Sequence, residues 1–226
     1  MADYAATRAR VEGYFDRTAT ETWARLTSDA PVSRIRQTVR AGRDRMRAVM
    51  LGQLPADLSG ARVLDAGCGA GQMTAELAAR GAEVVAVDIS PALLEIAARR
   101  LDPGMAARVT FRTGDMLADG LGRFDHVIAM DSLIYYSAPD IAAALARLNT
   151  RCGQVVFTVA PRTPFLMAFW GAGQLFPQSD RSPTMVPHSV KRLRREIAGR
   201  GLAGELTDVE RVTSGFYISN CLEWRG

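Results

Sequence analysis

Lysine is nearly missing from this chain: Lys191 stands alone among 28 basic residues, and the rest are arginine. The formal net charge is only +4, and a uniform arginine bias reflects genome composition more simply than nucleic-acid binding, so no nucleic-acid partner is expected. Cysteine is scarce as well. Cys68, Cys152 and Cys221 are odd in number and far apart, so neither a disulfide framework nor a metal held by the protein is expected, and a reducing cytoplasm fits. No apolar run reaches the length of a membrane-spanning helix, and MADYAATRARVEGY lacks the apolar centre of a signal peptide. Internal repeats and low-complexity tracts are absent. Only two histidines occur, His126 and His188, and His126 falls inside a strand pattern where a structural role is expected.

What remains is an ordinary globular composition. With 226 residues, 48% of them hydrophobic, the chain can bury the core of one large α/β domain with a helical cap. Residues 1–55 read as two or three helices forming that cap or lid. In the second, Pro31 suits a first helical position and Ile35, Val39, Met46, Val49 and Met50 share one face, with six arginines over much of the rest as a solvated surface. Pro55 to Gly60 reads as a linker into a second region, 56–226.

From Arg62 strands and helices alternate. Arg62–Asp65, Glu83–Asp88, Val109–Thr113, Phe124–Met130 and Gln154–Val159 read as strands, and Gln72–Arg80, Ser90–Leu101 and Pro139–Leu148 as helices. Ser90 and Pro91 supply an N-cap and a first-turn proline. The alternation implies right-handed crossovers and a mainly parallel, doubly wound sheet of the Rossmann-like type. A long connection at about 160–188 is too large for a plain loop. A basic helix from about Ser189 to Arg200 follows. Two closing strands, Glu205–Val212 and Gly215–Glu223, suggest an antiparallel hairpin turning at Thr213-Ser214, for seven strands in all.

The chemistry concentrates at the strand ends. VLDAGCGAGQMT places Asp65 before Gly67, Cys68, Gly69 and Gly71, at a turn from strand to helix that aims free N–H groups into the crevice. Asp88 ends the second strand with Ile89 behind it, where a carboxylate accepts from both hydroxyls of a ribose. Asp115 and Met116 follow the third strand, suited to an adenine amino group and ring. Met130 ends the fourth, followed by Asp131. The dinucleotide fingerprint is G-x-G-x-x-G; here the spacing is G-x-G-x-G, and the leading Asp65 disfavours a polyphosphate while suiting a cationic or zwitterionic ligand.

This combination resembles motif I of the class I S-adenosylmethionine-dependent methyltransferases. Over nearly the whole chain the sequence is similar to one family among them, the magnesium-protoporphyrin IX O-methyltransferases, in the form found in bacterial bacteriochlorophyll synthesis. The matching pieces are Tyr14-Phe15 with Trp23, Val39-Arg40-Ala41-Gly42, DAGCGAG, the loop Met130–Tyr136, Ala160-Pro161 through Leu175-Phe176-Pro177, and Gly215-Phe216-Tyr217 with Leu222-Glu223. The resemblance implies S-adenosylmethionine as methyl donor, with Asp65 and the glycine loop on its methionine portion, Asp88 on the ribose, and Asp115 with Met116 on the adenine. It implies methylation of one porphyrin propionate, with magnesium present only as part of the substrate and chelation completed upstream by a magnesium chelatase whose large subunit is a candidate partner. Arg40 is the candidate for the donor's carboxylate, and Tyr14, Phe15 and Trp170 are candidates for the macrocycle. Phe165–Phe176 reads either as a wall for a flat ring or as a core-packed helix.

Two departures stand out. Plant and cyanobacterial members carry a histidine where this chain has Tyr135 and a tyrosine where it has Thr27. Tyr135 is therefore the candidate for substrate positioning, by its phenol or by shaping the pocket, and with a reference pKa of about 10 it is no base. The loop after the fourth strand lacks the Asn-Pro-Pro-Tyr pattern of amide and base methylation. The alternatives are a quinone- or polyketide-type O-methyltransferase and a tetrapyrrole carrier without catalysis. His188 to Arg200, with the aromatic segment, is a candidate contact for an inner or photosynthetic membrane surface, a solvated helix being the simpler reading.

Overall fold

The structure, a computed structural model, describes residues 4–14, 33–164, 167 and 185–226. Its strands are β1 (Arg62–Ala66), β2 (Glu83–Asp88), β3 (Val109–Thr113), β4 (His126–Ala129), β5 (Gln154–Val159), β6 (Glu205–Ser214) and β7 (Tyr217–Arg225). Its helices are α1 (Tyr4–Tyr14), α2 (Arg34–Leu51), α3 (Gln72–Ala79), α4 (Pro91–Arg100), α5 (Ala138–Asn149) and α6 (Val190–Ala198). One seven-stranded sheet runs β3-β2-β1-β4-β5-β7-β6, parallel from β3 to β5 and antiparallel at β7 and β6. The reversal of strand order beside β1 opens a crevice at the carboxyl ends of β1 and β4, the usual place for a ligand in this architecture.

Local chemistry explains the elements. β5, QVVFTV, is buried at every position, as a strand covered on both faces requires. Ser90 caps α4, its hydroxyl accepting from the Leu93 N–H at 3.4 Å, with Pro91 in the first turn. Ser137 and Asp140 form a reciprocal capping box at the start of α5. On one sheet face Leu64, Val127 and Phe157 pack with Ile141 and Leu145 of α5 and Leu193 and Ile197 of α6. On the other, Val63, Ile128 and Val156 pack with Leu77 of α3, Leu94 of α4 and Met46 and Met50 of α2.

Several expectations are corrected. Within the region expected as a cap, α2 packs into the second layer and Val11 of α1 into the first. Pro31 lies outside the described residues, and α2 begins at Arg34 with Ser33 as N-cap, its hydroxyl accepting from the Arg36 N–H. Ile35, expected on the apolar face, is 56% exposed in the first turn of α2, and the helix meets the terminal hairpin from Thr38 onward, where the Thr38 carbonyl accepts from the Ser214 hydroxyl at 2.8 Å. The hairpin turns at Gly215-Phe216, not Thr213-Ser214: Ser214 still pairs with Tyr217, and Gly215 takes the positive φ of 59° that the tight turn needs. β4 is shorter than Phe124–Met130, since Asp131 leaves the strand with a left-handed φ of 54°.

Gly42 sets the distance between α2 and the terminal hairpin. A Cβ there would lie 2.7 Å from the Tyr217 ring, so only glycine lets the helix rest on it. Because α2 is part of the core, Met50→Ala should cost about 2–5 kcal/mol in urea unfolding, whereas Ile35→Ala should stay within about 0.5 kcal/mol. Equal effects would mean that α2 is a detachable cap.

Candidate active site

The crevice holds a cavity of about 1010 Å³, counted to its open mouth, bounded by the ends of β1, β2 and β4, the loop after β3, and α1 and α2. The glycine loop forms its floor. Gly67 and Cys68 donate their N–H groups to the Val87 carbonyl at 2.8 and 3.0 Å, which clips the loop to β2. Gly67 and Gly71 both have φ of 81°, and a Cβ on Gly71 would sit 2.8 Å from the Ala97 Cβ of α4, so the turn into α3 depends on both. Gly69 faces open space and donates its N–H to Asp88 Oδ2 at 2.8 Å.

Four acids meet this cavity. Asp88 is tied down: besides Gly69, its Oδ1 accepts from the Ser90 N–H at 2.9 Å. Asp115 accepts from the Tyr4 phenol, the Arg8 guanidinium and the Leu117 N–H, each at 2.8 Å, so α1 reaches over to this loop. Tyr4 also stacks on Tyr136, with ring centroids 4.7 Å apart. Asp131 pairs with Arg43 of α2 and accepts from the hydroxyls of Thr158 at 3.2 Å and Tyr217 at 3.1 Å. Asp65 differs. It is 1% exposed, its Oδ2 accepts from the Thr74 hydroxyl at 2.6 Å, and no cation among the described residues pairs with it. Burial pushes its carboxyl up to about 7, against the Thr74 hydrogen bond and with the help of Asp88's charge.

Asp65, Gly67, Cys68, Gly69, Asp88, Ile89, Asp115, Met116, Met130 and Tyr135 all line the cavity. Gly71, Arg40 and Tyr14 are not among its lining residues; Phe15 and Trp170 lie outside the described residues. Instead of Arg40 the cavity meets Arg43 and Arg47, whose side chains are 14% and 13% exposed and pair with Asp131 and with Glu76 and Asp44. Sequence reasoning also passed over Tyr4, Arg8 and Ser132. The signal for the arginines was present: Arg43, Met46, Arg47 and Met50 follow helical spacing, so two arginines share the buried face. The phenols of Tyr135 and Tyr217 are held far above their ordinary range, chiefly by burial, with the Asp131 charge adding to it.

A profile described as the C-terminus of magnesium-protoporphyrin IX methyltransferase matches residues 129–226, and a general methyltransferase domain matches 63–152. The magnesium-protoporphyrin O-methyltransferase of Rhodobacter capsulatus is 60% identical over 99% of this chain and 98% of its own length. The chain belongs to the magnesium-protoporphyrin O-methyltransferase family. The crystal structure of magnesium protoporphyrin IX methyltransferase from Synechocystis PCC 6803, solved with bound SAH, matches this member of the family with a TM-score of 0.78 at 28% identity, over 96% of this chain and 99% of that one. A ubiquinone biosynthesis O-methyltransferase of Xanthomonas oryzae is 38% identical, but over only 51% of each protein. That likeness covers half of each chain, whereas the Rhodobacter capsulatus and Synechocystis proteins match over nearly their whole length.

The family member's uncompensated acid predicts a pH dependence. A carboxyl raised from 3.8 to about 7 stabilises the ligand-free fold fully below about pH 4, and that contribution is lost as pH rises through about 7. The stability difference between the native protein and Asp65→Asn, followed by urea unfolding from about pH 5 to 8, should therefore shift against the native protein across this window and level off above it. A constant difference would mean that Asp65 titrates as an ordinary carboxylate.

Proposed function

We propose that this protein transfers a methyl group from S-adenosylmethionine to a propionate carboxylate of magnesium-protoporphyrin IX, giving the monomethyl ester and S-adenosylhomocysteine. The observation that carries the reading is the 60% identity, from end to end, with the Rhodobacter capsulatus enzyme of that name. The cavity fits such a donor. Asp65 is a buried carboxylate with no cation against it among the described residues, and a ligand bearing ammonium and sulfonium charge supplies what it lacks. In this reading Asp65 and the loop of Gly67, Cys68 and Gly69 hold the methionine end. Asp88, fixed by Gly69 and Ser90, takes the ribose hydroxyls, with Ile89 beside it. Asp115 and Met116 receive the adenine, while Tyr4 and Arg8 of α1 close that end.

S-adenosylmethionine supplies a methyl on a sulfonium: a carboxylate lone pair forms the new O–C bond, the C–S pair returns to sulfur, and no proton moves. The residues accord with that. A propionate, with a reference pKa of about 4.3, is already ionised at neutral pH, so the protein has to position and desolvate it rather than deprotonate it. Neither histidine is placed to act as a general base for a harder acceptor. His188 is buried with Nε2 on the Tyr136 carbonyl at 2.9 Å, His126 lies against Gln154, and neither lines the cavity. Tyr135, also on the cavity wall, stays protonated and acts by shape or as a donor.

Reception of the metallated porphyrin from the large subunit of magnesium chelatase belongs to the same reading, because a flat apolar ring is better passed between proteins than released to water. A peripheral membrane contact through α6 gains nothing from the packing: Leu193 and Ile197, its buried apolar residues, are spent on the core. Among the described residues no helix is long and apolar enough to cross a membrane.

Incubation with S-adenosylmethionine and magnesium-protoporphyrin IX should yield the monomethyl ester by mass spectrometry, with a quinone-precursor phenol left unmethylated. The reverse outcome would transfer the protein to the quinone class. For the carboxylate acceptor kcat should also stay flat from about pH 7.5 to 9, since the nucleophile is fully ionised there; a steady rise would signal a phenol or a required base.

A further inference from the structure

Ser132 lines the cavity, and its hydroxyl oxygen is buried with no hydrogen-bond partner among the described residues. Unmade buried hydrogen bonds are destabilising and uncommon, so this oxygen needs an explanation. Ser132 precedes the short turn Leu133–Tyr135, at the position where a serine ordinarily accepts a backbone N–H, yet it makes no such bond.

The surroundings hold it there. Asp131, with its left-handed φ of 54°, turns the chain at the end of β4 and carries the next side chain toward the glycine loop. That backbone is over-determined: the Asp131 N–H donates to Thr158 Oγ1 at 2.7 Å, and its carboxylate takes Arg43, Thr158 and Tyr217. From the opposite side Gly67 makes the room. A Cβ at Gly67 would collide with the Ser132 Cβ and lie 3.2 Å from its Oγ. Strained backbone on one wall and a missing side chain on the other thus place one unsatisfied hydroxyl beside the loop that follows Asp65.

We infer that the Ser132 hydroxyl is a binding contact for the amino-acid end of the methyl donor. This rests on the reading of the cavity given above. The oxygen lies against Gly67, two residues beyond Asp65 in sequence, whereas Tyr4 and Arg8 meet the cavity at Asp115. A hydroxyl both donates and accepts, and the amino-acid end offers a carboxylate and an ammonium to match it.

Calorimetric binding of two probes to the whole protein tests this. S-adenosylhomocysteine carries the amino-acid end; 5′-methylthioadenosine lacks it. Ser132→Ala should weaken the first by about tenfold, the scale of one hydrogen bond to a charged group, and leave the second within about twofold. The ligand-free variant should also melt no lower than the native protein, because the deleted hydroxyl satisfies nothing there. Unchanged affinity for both probes would overturn the inference, as would an equal loss for both or a lowered melting temperature. Native protein that bound neither probe would remove the reading of the cavity itself, and the Ser132 contact with it.

Discussion

Charge has to be balanced where four carboxylates meet one cavity, and the elements around that cavity are arranged to do so. Asp88 is met by backbone N–H groups of its own neighbourhood, Asp115 by Tyr4 and Arg8 of α1, and Asp131 by Arg43 of α2 together with Thr158 of β5 and Tyr217 of β7. These bonds join the N-terminal helices to the sheet and the terminal hairpin to the β4 loop. They do not include Asp65, which keeps a hydroxyl partner and, among the described residues, no counter-ion. A buried acid in that condition holds its proton more tightly, and a cationic ligand reverses the effect.

Function follows from that imbalance. A carrier that bound only the porphyrin would have no use for a buried acid lacking a cation beside a loop opened by left-handed glycines. A phenol methyltransferase would need a base, yet the tyrosines nearest Asp131 are driven away from ionisation and the histidines are occupied elsewhere. A carboxylate acceptor asks only for placement and for exclusion of water. The same α2 that carries Arg43 and Arg47 to the cavity also packs Met46 and Met50 beneath it, so the position of the guanidinium groups is fixed by the core rather than by a loop.

Much of this was legible in the residues. The limits of β2, β3 and β5 match the sequence reading to the residue: β2 and β5 are short buried apolar runs, while β3, a largely exposed edge strand, alternates β-branched and aromatic residues with polar ones and stops at Gly114. The order of the glycine loop and the acids after it pointed to a nucleoside ligand, and the structure gathers Gly67, Gly69, Asp65, Asp88 and Asp115 around one cavity. Arg43 was harder to see, since a helix rich in arginine gives composition no means of choosing among them; only its spacing with Met46 and Met50 set it apart, and Arg40 was chosen in its place. Ile35 was misplaced because apolar periodicity does not say where a helix leaves its sheet. Asp131 and Ser132 carry no motif. Their roles arise from one left-handed residue and from what Gly67 lacks, which are facts of backbone geometry and not of residue type.

The central claim is that Asp65 awaits a cation. At about pH 6.5 its carboxyl should be largely protonated in the ligand-free protein and ionised once the methyl donor is bound, so binding should expel a proton. Titration calorimetry with S-adenosylmethionine in buffers of different ionisation enthalpy measures that number directly. The account predicts release of a sizeable fraction of one proton by the native protein and none by Asp65→Asn. Binding by the native protein with no proton released would contradict it.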